Sequence, residues 1–229
     1  MSFFLCIAQR SELLGHYPSI CVLRFRTSNV NTEDDEAITL KPERRTPRPI
    51  PDSERRRWDN PEAILSAIGL RTGFTFVDIG CGRGFYALPA ARMVGKHGRV
   101  YGLDIDAESI AALKEQAGRE RLENLYLTVG KAEETIVCKQ CADVVFIGMA
   151  LHDFQDPSRV LENARSMAKP TGRLVDLDWK KEPTEFGPPL GIRLSVEAAV
   201  SLIEGAGFAV EATGDSEPHR YLVIAKPRL

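Results

Sequence analysis

Residues 77–85, V-D-I-G-C-G-R-G-F, combine three alternating glycines with one acid, Asp78, at the end of an apolar run. Glycines in a turn between a strand and a helix let a ligand approach the backbone, and the N–H groups at the helix start attract phosphate or carboxylate. The dinucleotide fingerprint G-x-G-x-x-G has its last glycine three positions after the second, whereas Gly84 follows Gly82 by two. The P-loop pattern G-x-x-x-x-G-K-[ST] is absent. The spacing therefore argues against a pyrophosphate ligand.

Two acidic residues further restrict the class of ligand that can bind. A carboxylate at Asp78, two residues before Gly80, would repel a pyrophosphate but suits a cationic amino group. Asp104, in Y-G-L-D-I-D, follows the glycines at the distance where an acid accepts hydrogen bonds from ribose hydroxyls. An amino acid end and a ribose in one crevice predict S-adenosylmethionine as the ligand.

These residues need a scaffold that brings strand ends together, and the sequence from Trp58 onwards indicates one. Apolar runs of strand length alternate with segments of helical period, and three helices start behind the capping residues Asn60, Asp156 and Ser195. Such alternation predicts an α/β fold with a mostly parallel sheet and helices on both faces. The last two of the seven predicted strands, F-A-V-E-A-T and Y-L-V-I-A-K, lie close in sequence and are predicted to pair antiparallel.

The motif D-I-G-C-G-R-G with the downstream L-D-I-D resembles the class I S-adenosylmethionine-dependent methyltransferases, in particular the small single-domain type similar to the ubiquinone/menaquinone methyltransferases. The resemblance covers about residues 56 to 226 and implies a Rossmann-like, doubly wound, seven-stranded sheet whose seventh strand lies antiparallel between the fifth and sixth. It implies that Asp78 and the glycine turn face the methionine part of the cofactor, that Asp104 holds the ribose and that Ile105 lies beside the adenine. The cofactor-binding residues so expected are Asp78, Gly80, Cys81, Gly82, Gly84, Asp104, Ile105, Ala132, Glu133 and Met149. Cys81 is also expected to be a small packing residue.

The turn G-K-A-E-E after the third strand aligns with the family's adenine-reading turn, but Lys131 stands where many members have an acid. Ala132 can still donate its backbone N–H to the adenine, and Glu133 can replace the missing acid. The turn G-M-A-L-H-D-F after the fourth strand lies where methyl group and acceptor meet, with Met149 and Leu151 as candidate lining residues.

Methyl transfer from a sulfonium needs orientation and exclusion of water, and it needs a base only when the acceptor loses a proton. His152 and Asp153 are the candidate catalytic residues because they follow a strand at its carboxyl end. The alternative is a structural His152 that caps the turn or packs under the next helix, and this alternative is slightly favoured.

The tract W-K-K-E-P-T-E-F-G-P-P-L-G-I-R-L-S after the fifth strand is too long and too rich in proline for a simple connection. Trp179, Lys180, Glu182 and Phe186 are predicted to close over the acceptor as a lid, with a rigid loop that makes no substrate contact as the equal alternative. Arg193 either binds an acidic acceptor or pairs with a surface carboxylate, and the pair is favoured.

Residues 1–53 are predicted to form a poorly ordered or loosely docked arm with a Pro/Arg-rich linker, and residues 54–229 the methyltransferase domain. The run I-C-V-L-R-F within the arm has strand composition but no evident partner. An odd number of cysteines, five, indicates free thiols and a cytoplasmic protein. The C-K-Q-C pair at 138–141 has no second pair of ligands, so no metal is expected. A redox pair is the alternative, although its placement differs from the thioredoxin placement before a helix.

The formal net charge of −2 and the lack of a concentrated basic stripe argue against nucleic acid as a partner, and no apolar run is long enough to span a membrane. The sequence thus predicts a methyltransferase for a small-molecule acceptor, active as a monomer or homodimer. Two alternatives stay open, a non-catalytic S-adenosylmethionine-binding sensor or partner subunit and, less favoured, an NAD-dependent oxidoreductase. Methylation of a macromolecule guided by the arm is a third.

Overall fold

The computed structural model describes residues 23–26, 55–216 and 218–228, so most of the predicted arm, 1–53, lies outside the described residues. The strands are β1 Leu23–Arg26, β2 Thr75–Ile79, β3 Arg99–Asp104, β4 Leu125–Val129, β5 Ala142–Gly148, β6 Ala168–Trp179, β7 Phe208–Ser216 and β8 Arg220–Pro227. The α-helices are α1 Pro61–Ala67, α2 Ala87–Val94, α3 Ala107–Arg119, α4 Pro157–Met167 and α5 Val196–Gly205. Two single-turn 3-10 helices cover Leu151–Asp153 and Leu190–Ile192.

Four helices, α1, α3, α4 and α5, begin behind a polar side chain that satisfies a free N–H group, and three of these caps, Asn60, Asp156 and Ser195, were predicted from the sequence. Asn60 accepts the N–H of Ala63 at 3.0 Å before α1, and Asp156 accepts that of Arg159 at 3.0 Å before α4. The α2 helix lacks a capping side chain at Tyr86, but it starts late enough to keep its proline in the first turn, where no N–H is needed.

The sheet has the order β1-β7-β8-β6-β5-β2-β3-β4. β2 to β6 pair parallel, and β8 lies antiparallel to both neighbours, β6 and β7. The predicted seven-stranded α/β arrangement, with its last strand inserted between the fifth and sixth, is confirmed. Since the chain runs outward from β2 to β4 and then returns to β5, the crevice between the carboxyl ends of β2 and β5 is the switch point where such sheets bind ligands.

An eighth strand extends the predicted sheet. β1 pairs antiparallel with β7, from Leu23 opposite Ser216 to Arg26 opposite Thr213. The expectation that this run has no partner is therefore wrong. The two strands lie near opposite ends of the chain, so no local sequence pattern indicates their pairing.

Helices cover both faces of the sheet, as predicted. One face carries Phe76, Phe146 and Leu222 and packs against α1, α2 and α3. The opposite face carries Val77 and Val145 and packs against α4 and α5. Strand side chains alternate between the faces, so Asp78 lies on the side of Phe76. None of the described helices has the length and apolar character that a bilayer span needs.

The connection from β4 to β5 is closed by a disulfide between Cys138 and Cys141. The expectation of free cysteines is wrong for this pair, because the turn brings the two Cα atoms to 6.0 Å, a separation that disulfides span. Cys81 is free and buried.

Candidate functional site

The glycine turn after β2 is fastened to β3 by its backbone. The N–H groups of Gly80 and Cys81 both donate to the carbonyl of Leu103, at 2.8 and 3.1 Å. Gly80, Gly82 and Gly84 all have positive φ angles, +76°, +50° and +88°, a region that side chains disfavour.

The space around the three glycines shows where the turn is open. A Cβ at Gly80 would stand 2.8 Å from that of Ala150, and one at Gly84 would collide with the Leu113 side chain of α3. A Cβ at Gly82 would meet no described atom within 4 Å. The open side of the turn therefore lies at Gly82.

Asp104 links the end of β3 to this open side. Its Oδ2 accepts the N–H of Gly82 at 2.7 Å, and its Oδ1 accepts the N–H of Asp106 at 2.9 Å. Each carboxylate oxygen has a second lone pair, so the acid can still accept bonds from a ligand hydroxyl. Ile105, next in the chain, is 64% exposed. The acid predicted to hold a ribose thus also shapes the glycine turn.

Asp78 is a buried acid whose charge is poorly compensated. It is 2% exposed, and its Oδ2 has no hydrogen-bond partner within the described part of the chain. Burial raises the pKa of its carboxyl to about 7; the Asp104 carboxylate adds to the rise, and the Arg55 guanidinium opposes it. A buried acceptor without a donor is costly, so the residue suits a cationic ligand group.

Cys81 packs beside this turn. The position that a Cβ of Gly102 would take is 3.0 Å from its Sγ, and burial raises the pKa of its thiol, which therefore stays protonated. The contacts agree with the packing role expected for Cys81.

A buried charge cluster borders the crevice and was missed by the sequence analysis. Asp59 is 2% exposed, accepts the Tyr86 hydroxyl at 2.8 Å and pairs with Arg55 at 3.1 Å and Arg220 at 2.9 Å. Asp59 resembled part of a helix cap, and Arg55 resembled a solvated linker residue. Because Arg220 lies on β8, far along the chain, no local pattern joins the cluster.

The turn after β5 holds the two candidate catalytic residues. Its Met149 has a φ of +58° and donates its N–H to Leu177 of β6 at 2.6 Å. His152 is 3% exposed, and its Nε2 lies 3.5 Å from Oδ2 of Asp153. Its Nδ1 lies 2.7 Å from Oδ1 of Asp178, and its backbone N–H donates to the other Asp178 oxygen at 3.1 Å. Asp178 was not predicted, although an acid inside an apolar strand was a usable signal.

The turn after β4 is organised by Asn163 of α4, another residue that the sequence analysis missed. Its side-chain amide donates to the carbonyls of Ala132 and Glu133, at 2.8 and 2.9 Å. A carboxylate oxygen of Glu133 accepts the N–H of Gln155 at 3.2 Å, while Lys131 pairs with Glu134 on the exposed side. Asn163 and Glu133 thus fix the turn to α4 and to the segment before it, while the Lys131 ammonium lies at the surface.

The four predicted lid residues make different kinds of contact. Trp179 and Phe186 contact each other and Trp58, with ring centroids 5.6 to 5.7 Å apart; these three residues are called the aromatic cluster below. Lys180 pairs with Asp215 at 2.9 Å, so its charge is compensated within the protein. Glu182 is exposed. Beside the cluster is an open surface depression of about 520 Å³ lined by Pro183, Thr184, Glu185, Phe186 and His219.

Arg193 holds the lid segment together. It is 4% exposed and donates to loop oxygens at 2.6 to 3.3 Å. The acceptors are the carbonyls of Lys180, Glu182, Phe186 and Pro188 and the hydroxyl of Thr184. The favoured expectation of a surface ion pair is wrong, because the guanidinium is buried and donates to loop oxygens that lack a regular secondary structure to pair them.

Comparison with known proteins gives a consistent result. The family described as a methyltransferase domain matches residues 70–190. A demethylmenaquinone methyltransferase of Oceanobacillus iheyensis is 29% identical over 123 residues, 54% of this chain and 51% of that protein. An arsenite methyltransferase of Halobacterium salinarum is 28% identical over 174 residues, 71% of this chain and 44% of that protein. The chain spans about half the length of these relatives.

Among solved structures, that of a SAM-dependent methyltransferase from Aquifex aeolicus superposes with a TM-score of 0.70 and 29% identity. The match covers 73% of this chain and 89% of that chain.

Proposed function

This chain belongs to the class I S-adenosylmethionine-dependent methyltransferases, and on that basis we propose that it transfers a methyl group from S-adenosylmethionine to a small-molecule acceptor. The observation that carries the proposal is Asp78, a buried carboxylate with an oxygen left without a donor in the described chain, beside an open glycine turn. That combination fits the ammonium group of a methionine better than it fits the phosphates of a dinucleotide.

The residues present fit the rest of the cofactor. Asp104 would accept ribose hydroxyls with its remaining lone pairs, Ile105 would cover one side of the adenine, and the Ala132 N–H would contact its edge. S-adenosylmethionine supplies a methyl group on a sulfonium, which is its own leaving group, so the chain has to orient the reactants and exclude water.

We assign His152 the role of general base for acceptors that must lose a proton. Asp178 accepts a hydrogen bond from Nδ1–H, a tautomer assigned from the 2.7 Å contact, so Nε2 is the nitrogen of the neutral ring that carries no proton. As the acceptor atom bonds to the methyl carbon and the carbon–sulfur bond breaks toward sulfur, the acceptor's proton passes to Nε2. The exposed Asp153 carboxylate, 3.5 Å away, would stabilise the charged imidazole.

The aromatic cluster supports a planar, largely apolar acceptor. Trp179 is nearly buried while Phe186 is 42% exposed, so the cluster offers a ring surface at the end of β6. An aromatic acceptor can add an offset-stacked or edge-to-face contact to such a ring surface. One relative is by name a demethylmenaquinone methyltransferase, and a naphthohydroquinone is therefore the first acceptor to test.

Calorimetry on the full chain tests the cofactor, and transfer of labelled methyl groups tests the reaction. We expect S-adenosylmethionine and S-adenosylhomocysteine to bind and NAD not to bind. Methyl transfer is then measured with a naphthohydroquinone, a catechol, a thiol and arsenite. Absence of binding by both adenosyl ligands would refute the proposal, and binding without methylation of any acceptor would favour a sensor or partner subunit.

A further inference from the structure

The edge strand β4 has one side of its backbone free to pair. Among the described strands it is bonded to β3 alone, in parallel. Asn124 accepts the N–H of Val100 at 2.8 Å, and Gly130 donates to the carbonyl of Asp104 at 2.9 Å. Because the backbone groups of a strand point alternately to its two sides, the even-numbered residues bond to β3 and the odd-numbered residues of β4 point to the open edge. These are Leu125, Leu127 and Val129.

The sequence of β4 does not protect this edge. Proteins commonly protect an open edge with charged residues, prolines or bulges. The strand L-Y-L-T-V contains no charge and no proline, and its register with β3 is regular throughout. At the opposite edge of the sheet, two of the four residues of β1 are arginines. Of the two edges, β4 is therefore the one suited to accept another strand.

Apolar side chains lie exposed along this edge. Val129 is 51% exposed, and Tyr126 is 48% exposed although its ring stacks on that of Tyr101, with centroids 5.2 Å apart. Side chains on a neighbouring strand would cover such positions and stabilise the pairing.

The same strand of a second copy fits this edge with two-fold symmetry. In an antiparallel pair centred on Leu127, that residue lies opposite Leu127 of the partner subunit, and Leu125 lies opposite Val129 of the partner subunit. All outward-pointing backbone groups of β4 then have partners, because each of these opposed pairs exchanges two hydrogen bonds. The symmetry repeats every contact, as in an isologous dimer.

The charges that flank β4 match in this register. Glu123 lies just before the strand and Lys131 just after it, so each falls opposite the other in the partner subunit. Glu123 is exposed, and the side chain of Lys131 is 56% exposed. The pair of Lys131 with Glu134, at 3.3 Å, is a surface pair and holds the ammonium only weakly. The lysine that departs from the family pattern thus has an acidic partner across the two-fold axis.

We propose that the chain forms a two-fold homodimer in which β4 pairs antiparallel with β4 of a second copy, so that the two sheets become one. Ion pairs between Glu123 and Lys131 close both ends of the paired strands. The turn that contains Ala132 and Glu133 then lies beside the start of the partner's β4.

Sedimentation equilibrium of the full chain measures the dimer, and a proline tests the edge. At about 50 μM we expect the mass of two chains. Val129→Pro removes an N–H that points to the open edge and leaves the bonds to β3 in place. Because the symmetry removes two bonds at once, the dissociation constant should rise at least about tenfold. The matched control Val129→Ala keeps the N–H and should change the constant less than about threefold.

Reversing charges tests the register. Glu123→Lys and Lys131→Glu should each weaken the dimer about tenfold, and the double variant should recover the wild-type constant. Glu211→Lys, on β7 near the opposite edge of the sheet, should have no effect. A wild type that is monomeric at about 50 μM, or a dimer that Val129→Pro leaves intact, would overturn the proposal. A double variant as weak as the single variants would overturn this register, and it decides the question alone if circular dichroism shows Val129→Pro to be unfolded.

Discussion

His152 is held through two separate atoms by one buried carboxylate, that of Asp178: Nδ1 lies 2.7 Å from one oxygen, and the backbone N–H lies 3.1 Å from the other. The acid itself is 1% exposed and also accepts the N–H of Trp179 at 2.7 Å. Position and ring orientation of the histidine are therefore set by the end of β6. The contact at Nδ1 would orient a general base, and the contact at the backbone N–H supports the turn. A functional measurement separates the two roles of His152.

Replacing His152 with alanine should lower kcat for a hydroxyl acceptor about 10²- to 10⁴-fold, the usual contribution of a general base. Asp178→Asn should lower kcat by a smaller factor, because the ring stays but loses its orientation. The dissociation constant of S-adenosylhomocysteine should not change in either variant. Steady-state kinetics and calorimetry check this.

An acceptor that has no proton to lose, such as a thioether, provides the control for this pair. Its methylation should be as fast in His152→Ala as in the wild type. An equal loss with both acceptors would show that His152 only supports the turn.

Cofactor affinity should depend on pH through Asp78. Burial raises the pKa of its carboxyl to about 7 in the free protein, so the ionised form that binds an ammonium group is scarce below that pH. S-adenosylhomocysteine should therefore bind about tenfold more weakly at pH 6 than at pH 8. The affinity of 5′-methylthioadenosine, which lacks the amino group, should stay constant, and a flat pH profile for S-adenosylhomocysteine would contradict the assignment of Asp78.

The same acid should make the free protein less stable as the pH rises. Between its ordinary pKa of 3.8 and about 7, the folded chain keeps the Asp78 proton while the unfolded chain has lost it. The folded state then binds more protons, so the free energy of unfolding falls through this window as the pH increases. Denaturant unfolding of Asp78→Asn should lack this part of the slope, and an unchanged slope would show that Asp78 does not titrate there.

Gly84 and Gly82 make a matched pair for the glycine turn. Alanine at Gly84 adds a collision with Leu113 to the backbone strain of a positive φ, whereas alanine at Gly82 adds only the strain, about 1–2 kcal/mol. We expect Gly84→Ala to be the less stable variant in thermal unfolding and Gly82→Ala to lose more affinity for S-adenosylhomocysteine. The reverse order of affinities would place the ligand on another side of the turn.

Loss of Arg193 should loosen the segment between β6 and α5. Its guanidinium satisfies five oxygens of the loop, so Arg193→Gln should speed hydrogen exchange at residues 180–188 and raise KM for the acceptor. Binding of S-adenosylhomocysteine should be preserved, because the loop lies apart from the glycine turn. If hydrogen exchange speeds up but KM stays unchanged, the alternative is favoured in which this segment does not contact the acceptor.

Local sequence patterns were sufficient to predict the strands from β2 onwards, the helices and three of their caps, because these are properties of neighbouring residues. The glycine turn and Asp104 could be predicted for the same reason, being short signals at strand ends. The cluster of Arg55, Asp59 and Arg220 could not, because most of the sheet-forming sequence separates Arg220 from the other two residues along the chain. A pair such as His152 and Asp178 depends on how two parallel strands align, and that register is a property of the folded sheet.

The place of β8 has a consequence for the order of assembly. It is the last of the eight strands in the described part of the chain, yet it has a neighbour on each side, so β7 and β1 cannot join the other strands until it is in place. During synthesis, β2 to β6 can pair as they emerge from the ribosome, while the antiparallel half must wait. Arg220, at the start of β8, pairs with Asp59 just before α1. This wall of the crevice is therefore completed only after β8, the last strand to be synthesised, has joined the sheet.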